Sequence, residues 1–305
     1  MSTSTVELTS TPSLPAIYAS AAKDAGRRRF SRTSSGVTGA LPDTRYRLRA
    51  ITASAERLTA YQHLVGEPAA DRLPACFVHV LSFPVAMSLM AASDFPLPLM
   101  GMVHLDNRID QFAPIVLGEA IDIDCRANHL RAHHRGTQVD VTATARVGGT
   151  VRWHSRSTYL AKGVFLDDDD RQTVPRPEFE PPTPTGLWAL PGDIGRRYAR
   201  VSGDYNPIHL SSAGAKLLGF RRAIAHGMYL AARAVAASDV RHWDAMTQQV
   251  SFGSPAIVPG RVAFAAQPNE RGEEAGAEES RARVDYVGWN AKSGRKHFSG
   301  SIIHN

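Results

Sequence analysis

Alternating apolar and polar positions predict two β-hairpins. Gly148-Gly149 ends a run whose alternate residues are apolar: Val139, Val141, Ala143, Ala145 and Val147. A glycine pair between two such runs is typical of a tight hairpin turn. A second pair of runs, within residues 281–303, breaks across Asn290–Gly294. The pattern therefore predicts two antiparallel strand pairs in different halves of the chain.

Each predicted hairpin is preceded by the same succession of elements. Residues 85–93 and 227–238 are apolar runs with helical character, and residues 112–124 and 252–264 begin with Phe and continue through Pro and Gly. A helix, an irregular strand entry and a hairpin thus occur twice in the same order. The repetition predicts an α+β fold in which a unit with one long helix and an antiparallel sheet is duplicated.

Changes in composition divide the chain. Residues 1–45 are rich in Ser, Thr, Ala and Gly without sustained periodicity, which predicts a flexible N-terminal segment. Four consecutive aspartates from Asp167 and several prolines predict an acidic, extended linker over residues 166–190. We therefore expect a first repeat over residues 46–165 and a second over residues 191–305.

Composition and hydropathy favour a globular protein. The chain has 305 residues, of which 43% are hydrophobic and 21% charged, enough apolar material for two domains of moderate size. It contains no run of about 18 apolar residues of the kind that spans a bilayer. The N-terminus lacks the basic and apolar regions of a signal peptide, so we expect a cytoplasmic protein.

The net charge of +6, carried mostly by arginine, is compatible with two kinds of binding partner. Guanidinium groups bind phosphates, which occur in nucleic acids and also in coenzyme A and acyl carrier proteins. The arginines are spread along the chain and no dense basic run is interleaved with aromatic residues. The distribution favours a phosphorylated carrier over a nucleic acid.

Cysteine and histidine spacing does not indicate a metal centre. Cys76 and Cys125 lie too far apart for a CxxC motif, so both are interpreted as buried structural thiols. His129 and His133 have the i, i+4 spacing of helical metal ligands, but they lie in a predicted strand connection without a third ligand type. We expect no metal.

Residues 198–215, YARVSGDYNPIHLSSAGA, combine turn formers with acid/base groups. Asp204 and Asn206-Pro207 predict a loop with a defined backbone, and Ser211 or Ser212 can begin a short helix that Gly219 ends. Asp204 and His209 could converge across this turn for proton transfer. On the spacing alone, an Asx turn followed by a solvated or core histidine is the favoured interpretation.

The complete string resembles the signature of the MaoC-like (R)-specific enoyl-CoA hydratases. That signature has an aromatic residue, an aliphatic residue with Ser or Thr, the run Gly-Asp-x-Asn-Pro-aliphatic-His, and then Ala or Ser. The matching residues are Tyr198, Val201, Ser202, Gly203, Asp204, Asn206, Pro207, Ile208, His209 and Ala215. Residues 219–236 also resemble the family's Ile-x-His-Gly-Met segment, which leads into a central helix.

The resemblance implies a double hot-dog fold with Asp204 and His209 as the catalytic pair that activates one water. It further implies that Asn206 positions water or substrate and that the backbone N–H of Gly227 polarises the thioester carbonyl. No cofactor is implied, because coenzyme A or acyl carrier protein belongs to the substrate. Arg200, Arg221 and Arg222, with their neighbours Arg196 and Arg197, are candidates for contacts with the carrier phosphates.

Two departures from the family pattern change the expected site. Some members carry a serine on the central helix that bonds the catalytic Asp, whereas Ser238 lies too far along, so Asp204 needs another partner. The first half lacks the motif, and its His79 and His104 are expected to be core or lining residues rather than catalytic remnants. The resemblance therefore implies a degenerate first repeat and one active centre per chain.

The expected activity is the reversible hydration of trans-2-enoyl thioesters, or dehydration of (R)-3-hydroxyacyl thioesters, in fatty-acid metabolism. Two alternatives stay open: a hot-dog acyl-thioesterase, and a non-catalytic subunit that binds acyl thioesters. Because two hot-dog units in one chain satisfy each other's contacts, either a monomeric pseudo-dimer or a homodimer is compatible with the sequence.

Overall fold

The computed structural model describes residues 4–21, 40–166, 178–268 and 282–305. Its strands are β1 Ser4–Leu8, β2 Thr44–Ile51, β3 Met102–Gln111, β4 Ile121–His133, β5 Gly136–Val147, β6 Thr150–Lys162, β7 Gly186–Leu190, β8 Met246–Phe252, β9 Gly260–Pro268, β10 Arg283–Asn290 and β11 Lys296–His304. Its helices are α1 (residues 14–21), α2 Ala55–Val65, α3 Ala75–Met90, α4 Ile194–Ser202, α5 Pro207–Leu210, α6 Ser212–Leu217 and α7 Gly227–Ala237.

The described strands form one sheet whose order reveals the duplication. The order is β1-β2-β4-β5-β6-β3-β8-β11-β10-β9-β7, so the five strands from β2 to β3 are repeated, in reverse, from β8 to β7. The two sets meet where β3 and β8 pair antiparallel, from Asp106 opposite Ser251 to Gln111 opposite Met246. The expected double hot-dog fold is thus confirmed.

Both predicted hairpins are present. Strands β5 and β6 are joined through Gly148 and Gly149, whose φ angles of 56° and 81° suit a tight turn that glycine adopts without steric cost. Strands β10 and β11 pair antiparallel across the turn after Asn290, where the Gly294 N–H donates to the Asn290 carbonyl. The period-two pattern thus identified β5 correctly, and the turn residues identified the positions of both hairpins.

The long helices α3 and α7 are enclosed by the sheet. Nearly every residue of α3 is buried, which agrees with its apolar character on all faces, and the same holds for most of α7. Pro74 and His226, the residues before the two helices, have non-helical ψ angles of 141° and 135°, so each helix begins at the next residue. Within the described ranges, no helix has the length and hydropathy needed to cross a membrane.

Parts of two segments that the sequence assigned to flexible regions are regular elements. Strand β1 pairs in parallel with β2, and Leu14 at the start of α1 is only 4% exposed. Strand β7, at the end of the expected linker, pairs antiparallel with β9. Such short elements are stabilised by contacts with distant strands, which local sequence patterns do not show. The aspartate run of the linker lies outside the described residues.

Candidate active site

The motif loop begins where α4 ends. Gly203 caps α4 in the left-handed region, with φ of 80°, and its N–H donates to the Ala199 carbonyl at 2.7 Å. The Asn206 N–H then donates to Asp204 Oδ1 at 3.1 Å, and the Ile208 N–H donates to Asn206 Oδ1 at 3.3 Å. Two successive side chain–backbone bonds therefore fix the loop, as the density of turn formers predicted.

The first half of the chain also holds this loop. Arg57 of α2 donates from Nε to the Val201 carbonyl at 2.6 Å and from Nη2 to the Ser202 carbonyl at 3.1 Å. These are orphan carbonyls at the C-terminus of α4, where a cation is favoured. Sequence analysis missed Arg57, because no motif surrounds it.

His209 is buried in a defined tautomer. Its Nδ1 lies 2.9 Å from the Ile224 carbonyl oxygen, which can only accept, so Nδ1 carries the proton and Nε2 has a free lone pair. Burial lowers the pKa of His209, and nearby Asp204 and the bond to Ile224 offset only part of this effect. His209 is therefore neutral near pH 7 and can accept a proton at Nε2.

Asp204 is a carboxylate beside this imidazole. Burial acts to raise its pKa, but the neighbouring His226 and His209, the Tyr18 hydroxyl and the Asn206 N–H together bring the pKa below its ordinary value. The ligand atoms of Asp204, His209 and His226 all lie within 4.8 Å of one another. One water molecule can bridge two acceptors at that separation. The predicted pair thus converges on one point.

His226 is a site residue to which the sequence assigned no role. Its ring stacks on that of His209 with centroids 3.7 Å apart, and its Nε2 lies 3.0 Å from the Asp204 carbonyl oxygen. Burial and the adjacent His209 lower the pKa of His226 to about 3, so it is neutral and donates to that carbonyl. The sequence signal that could have identified His226 as a site residue is its position in the His-Gly-Met segment, directly before Gly227.

Gly227 is the first residue of α7, where backbone N–H groups have no acceptor within the helix. It lines the same cavity as Asp204 and His209. A Cβ at this position would lie 2.9 Å from Cε1 of the Phe252 ring, closer than side chains tolerate. Glycine therefore lets Phe252 pack directly over the helix N-terminus.

Asp204, Asn206, His209 and Gly227 line a cavity of about 170 Å³ to which both halves contribute. Its apolar walls come from α3 and β3 of the first half and from the second half, with residues Val80, Phe83, Met87, Met90, Leu99, Met102, Ile208, Phe220, Leu230 and Phe252. Side chains of the first half therefore form part of the wall of the cavity that contains Asp204 and His209.

His79 and His104 line this same cavity. The ring of His104 stacks on Tyr159 at 4.6 Å and lies 6.2 Å from the ring of His79. Burial lowers the pKa of His79 to about 4 and that of His104 to about 3, so both are neutral. The structure confirms them as lining residues.

The first half retains the outline of a second site without its chemistry. Helix α2 ends at Gly66, which is left-handed like Gly203, and Glu67 follows Gly66 as Asp204 follows Gly203. Burial raises the pKa of Glu67 to about 7. The described residues around the small cavity at Glu67 include no histidine. Among the described residues that line this cavity, the first repeat therefore has a carboxyl group at Glu67 but no imidazole to pair with it.

The candidate carrier-binding arginines lie outside the cavity. Arg200, Arg221 and Arg222 are exposed, and none of them lines the cavity, although Phe220 next to Arg221 does. Arg196, also exposed, donates to the Leu210 carbonyl at 3.1 Å. A contact with a carrier would involve the surface around the cavity rather than its interior.

Asp204, His209 and His226 form the one group of three potential metal ligands found among the described residues. His226 Nε2 donates its proton to the Asp204 carbonyl, so in this tautomer the lone pair of the ring is at Nδ1, a buried atom without a hydrogen-bond partner among the described residues. Two imidazoles and one carboxylate equal in number the three protein ligands of catalytic zinc sites, but the His226 nitrogen that faces the Asp204 loop is used in a hydrogen bond. His133 lies in strand β4, so His129 and His133 do not share a helix face.

Comparisons with known proteins identify the family. A family model described as MaoC like domain matches residues 174–287. The 3-hydroxyacyl-thioester dehydratase X of Mycobacterium tuberculosis is 34% identical over 222 residues, which are 73% of this chain and 79% of that protein. The chain belongs to the MaoC-like dehydratase family.

Solved structures of family members have the same architecture. The crystal structure of HtdX from Mycobacterium tuberculosis superposes with a TM-score of 0.72 at 29% identity, covering 85% of this chain and 98% of that one. A MaoC-like dehydratase from Phytophthora capsici, 17% identical, superposes with a TM-score of 0.66 over 88% of this chain and 95% of that one. The second likeness shows the fold alone.

Proposed function

We propose that the second half of this MaoC-like protein catalyses the reversible hydration of trans-2-enoyl thioesters to (R)-3-hydroxyacyl thioesters. The observation that carries the proposal is that an ionised Asp204 and a neutral His209, whose ligand atoms lie within 4.8 Å of each other, line the wall of one apolar cavity. The similarity to the mycobacterial protein named 3-hydroxyacyl-thioester dehydratase X supports the reaction class.

In the hydration direction, a water held between Asp204 and His209 Nε2 attacks the β-carbon of the enoyl group. One proton passes from this water to the Asp204–His209 pair, and the electrons of the double bond move to the thioester carbonyl. The pair then returns one proton to the α-carbon, so the net change is the addition of one water. Dehydration reverses these steps. Adding water to the double bond causes no net oxidation or reduction, so the reaction needs no redox cofactor.

The enolate oxygen that forms in this reaction would lie against the N-terminus of α7. We assign the Gly227 N–H, at the first residue of α7, to donate to this oxygen, because the helix dipole favours negative charge at this end. Asn206 lines the cavity beside the pair and is assigned to positioning water or substrate. Arg200, Arg221 and Arg222 are assigned to the phosphates of coenzyme A or of an acyl carrier protein.

The reaction can be tested by mixing purified protein with crotonyl-CoA and longer enoyl-CoA thioesters. We expect the ultraviolet absorbance of the conjugated thioester to decrease without release of free thiol. Asp204→Asn and His209→Ala should each lower the rate by at least about 10²-fold, because each removes a proton acceptor. Thiol release would indicate a thioesterase instead, and full activity in either variant would show that the assigned pair is wrong.

A further inference from the structure

Helix α1 packs directly on the motif loop. Leu14, at its start, is 4% exposed and belongs to the main hydrophobic core. A Cβ at Gly203 would lie 3.1 Å from Leu14 Cδ1, which shows how closely the two segments approach. Helix α1 of the N-terminal segment therefore contacts the motif loop at Gly203, the residue before Asp204.

This docking places Tyr18 in the cavity. Its hydroxyl donates to Asp204 Oδ1 at 2.6 Å, within the range of hydrogen bonds to ionised acceptors. The same oxygen accepts the Asn206 N–H at 3.1 Å. Oδ1 is therefore occupied by two donors, while Oδ2 lies 3.7 Å from His226 Nε2 and is left for a water or substrate.

The hydroxyl group that bonds Asp204 does not come from the central helix α7. Ser238, at the C-terminus of α7, donates its hydroxyl to the Ala234 carbonyl at 2.7 Å. The hydroxyl that bonds Asp204 instead comes from a residue 186 positions earlier in the chain.

We propose that Tyr18 is a positioning residue that fixes the orientation of the Asp204 carboxylate, so that residues 14–21 form part of the active site. This inference rests on the proposed hydration activity. A tyrosine hydroxyl that only tied α1 to the body would affect stability. A positioning tyrosine also controls which carboxylate oxygen faces the water and how readily Asp204 becomes protonated.

Other groups around Asp204 remain in place when Tyr18 is changed. Those that interact with it electrostatically are His209 and His226 of the second half, His79 on α3, His104 on β3, Tyr159 on β6 and Tyr198 on α4. His226, His209, the Tyr18 hydroxyl and the Asn206 N–H all lower the pKa of Asp204, and Tyr18→Phe removes only the hydrogen bond from Tyr18. A shift in that variant can therefore be assigned to the hydroxyl.

The test compares Tyr18→Phe with Tyr46→Phe in the full-length protein. Tyr46 lies in strand β2, does not line the cavity and undergoes the same loss of one hydroxyl. For Tyr18→Phe we expect kcat to fall about tenfold or more, KM to change little, and the acid limb of the kcat–pH profile to move to higher pH. Tyr46→Phe should have the same kcat, KM and acid limb as the unmodified protein.

A second measurement does not depend on activity. The Asp204 carboxyl carbon is labelled with ¹³C and identified by its absence in Asp204→Asn, and its titration is followed by NMR. We expect Tyr18→Phe to raise the pKa of Asp204 and Tyr46→Phe to leave it unchanged. If kcat, the acid limb and the Asp204 titration are all unchanged in Tyr18→Phe, the positioning role is wrong. If the unmodified protein does not hydrate enoyl thioesters, the proposed function fails, while the carboxyl titration still decides the role of Tyr18.

Discussion

The imidazole rings of His209 and His226 stack with their centroids 3.7 Å apart and their planes inclined by 26°. Each ring is also fixed by a bond to backbone, His209 through the Ile224 carbonyl and His226 through the Asp204 carbonyl. The proposed base is thus held in place by a second histidine that also contacts the loop of its acidic partner.

Replacing His226 should therefore impair the reaction without removing either member of the catalytic pair. We expect His226→Leu to lower kcat by about tenfold or more, because His209 loses its stacking partner and the Asp204 carbonyl loses its donor. His226→Gln, which keeps an N–H donor, should be less impaired. Steady-state kinetics with an enoyl thioester would measure both. Unchanged kcat in His226→Leu would mean that the stack has no role.

A methyl group at Gly195 should displace His209. A Cβ there would lie 1.9 Å from the His209 carbonyl oxygen, so α4 and the His209 backbone must separate. We expect Gly195→Ala to lower the free energy of unfolding by about 1–3 kcal/mol and to reduce kcat. Gly192→Ala is the matched control, because its Cβ would meet Pro259 Cδ at an ordinary 3.7 Å. Equal behaviour of the two variants in denaturant titrations and assays would contradict this prediction.

Gly227→Ala should act through the Phe252 ring. The added Cβ would lie 2.9 to 3.2 Å from three ring carbons, so either the ring or the start of α7 must move. We expect kcat for enoyl thioesters to fall, because the Gly227 N–H would no longer meet the forming oxyanion. The double variant Gly227→Ala/Phe252→Leu should recover part of the loss by providing room. If the second substitution brings no recovery, the contact with Phe252 is not the cause.

The buried histidines should make the protein less stable in acid. In the folded state burial lowers the pKa of His79 to about 4 and those of His104 and His226 to about 3. An unfolded histidine titrates near its ordinary value of about 6.5, so below that pH the unfolded chain binds more protons. Stability should thus fall as the pH drops from about 6.5 towards 4, with each histidine contributing up to about 1.4 kcal/mol per pH unit.

Urea titrations at several pH values would measure this dependence, and His79→Leu should reduce its slope. A free energy of unfolding that stays constant between pH 7 and pH 5 would show that these imidazoles take up protons equally in the folded and unfolded protein, which contradicts the prediction.

Local patterns predicted much of the fold. The glycine pair at Gly148-Gly149 follows a period-two run, and the turn at Asn290–Gly294 lies between two such runs; both signals depend only on neighbouring residues. The motif loop was predictable for the same reason, since Asp204 and Asn206 bond to backbone two residues ahead. The sequence thus predicted the elements whose stabilising contacts are short in range.

The missed site residues depend on contacts between distant parts of the chain. Tyr18 reaches Asp204 across 186 positions, and Arg57 reaches Val201 across 144. Neither residue lies in a recognisable motif, and Tyr18 belongs to a segment whose composition predicted flexibility. The correspondence between Glu67 and Asp204 depends on the similar helix ends at Gly66 and Gly203, which are a feature of the folded backbone.

The antiparallel junction of β3 and β8 has a consequence for how such a protein can change over time. In a symmetric dimer of single repeats, every substitution appears in both copies, so a change that widens one pocket also alters the other. Here the two repeats are encoded separately within one chain. Met87 and Met90 can therefore vary with the size of the bound group while Asp204 and His209 stay under independent selection.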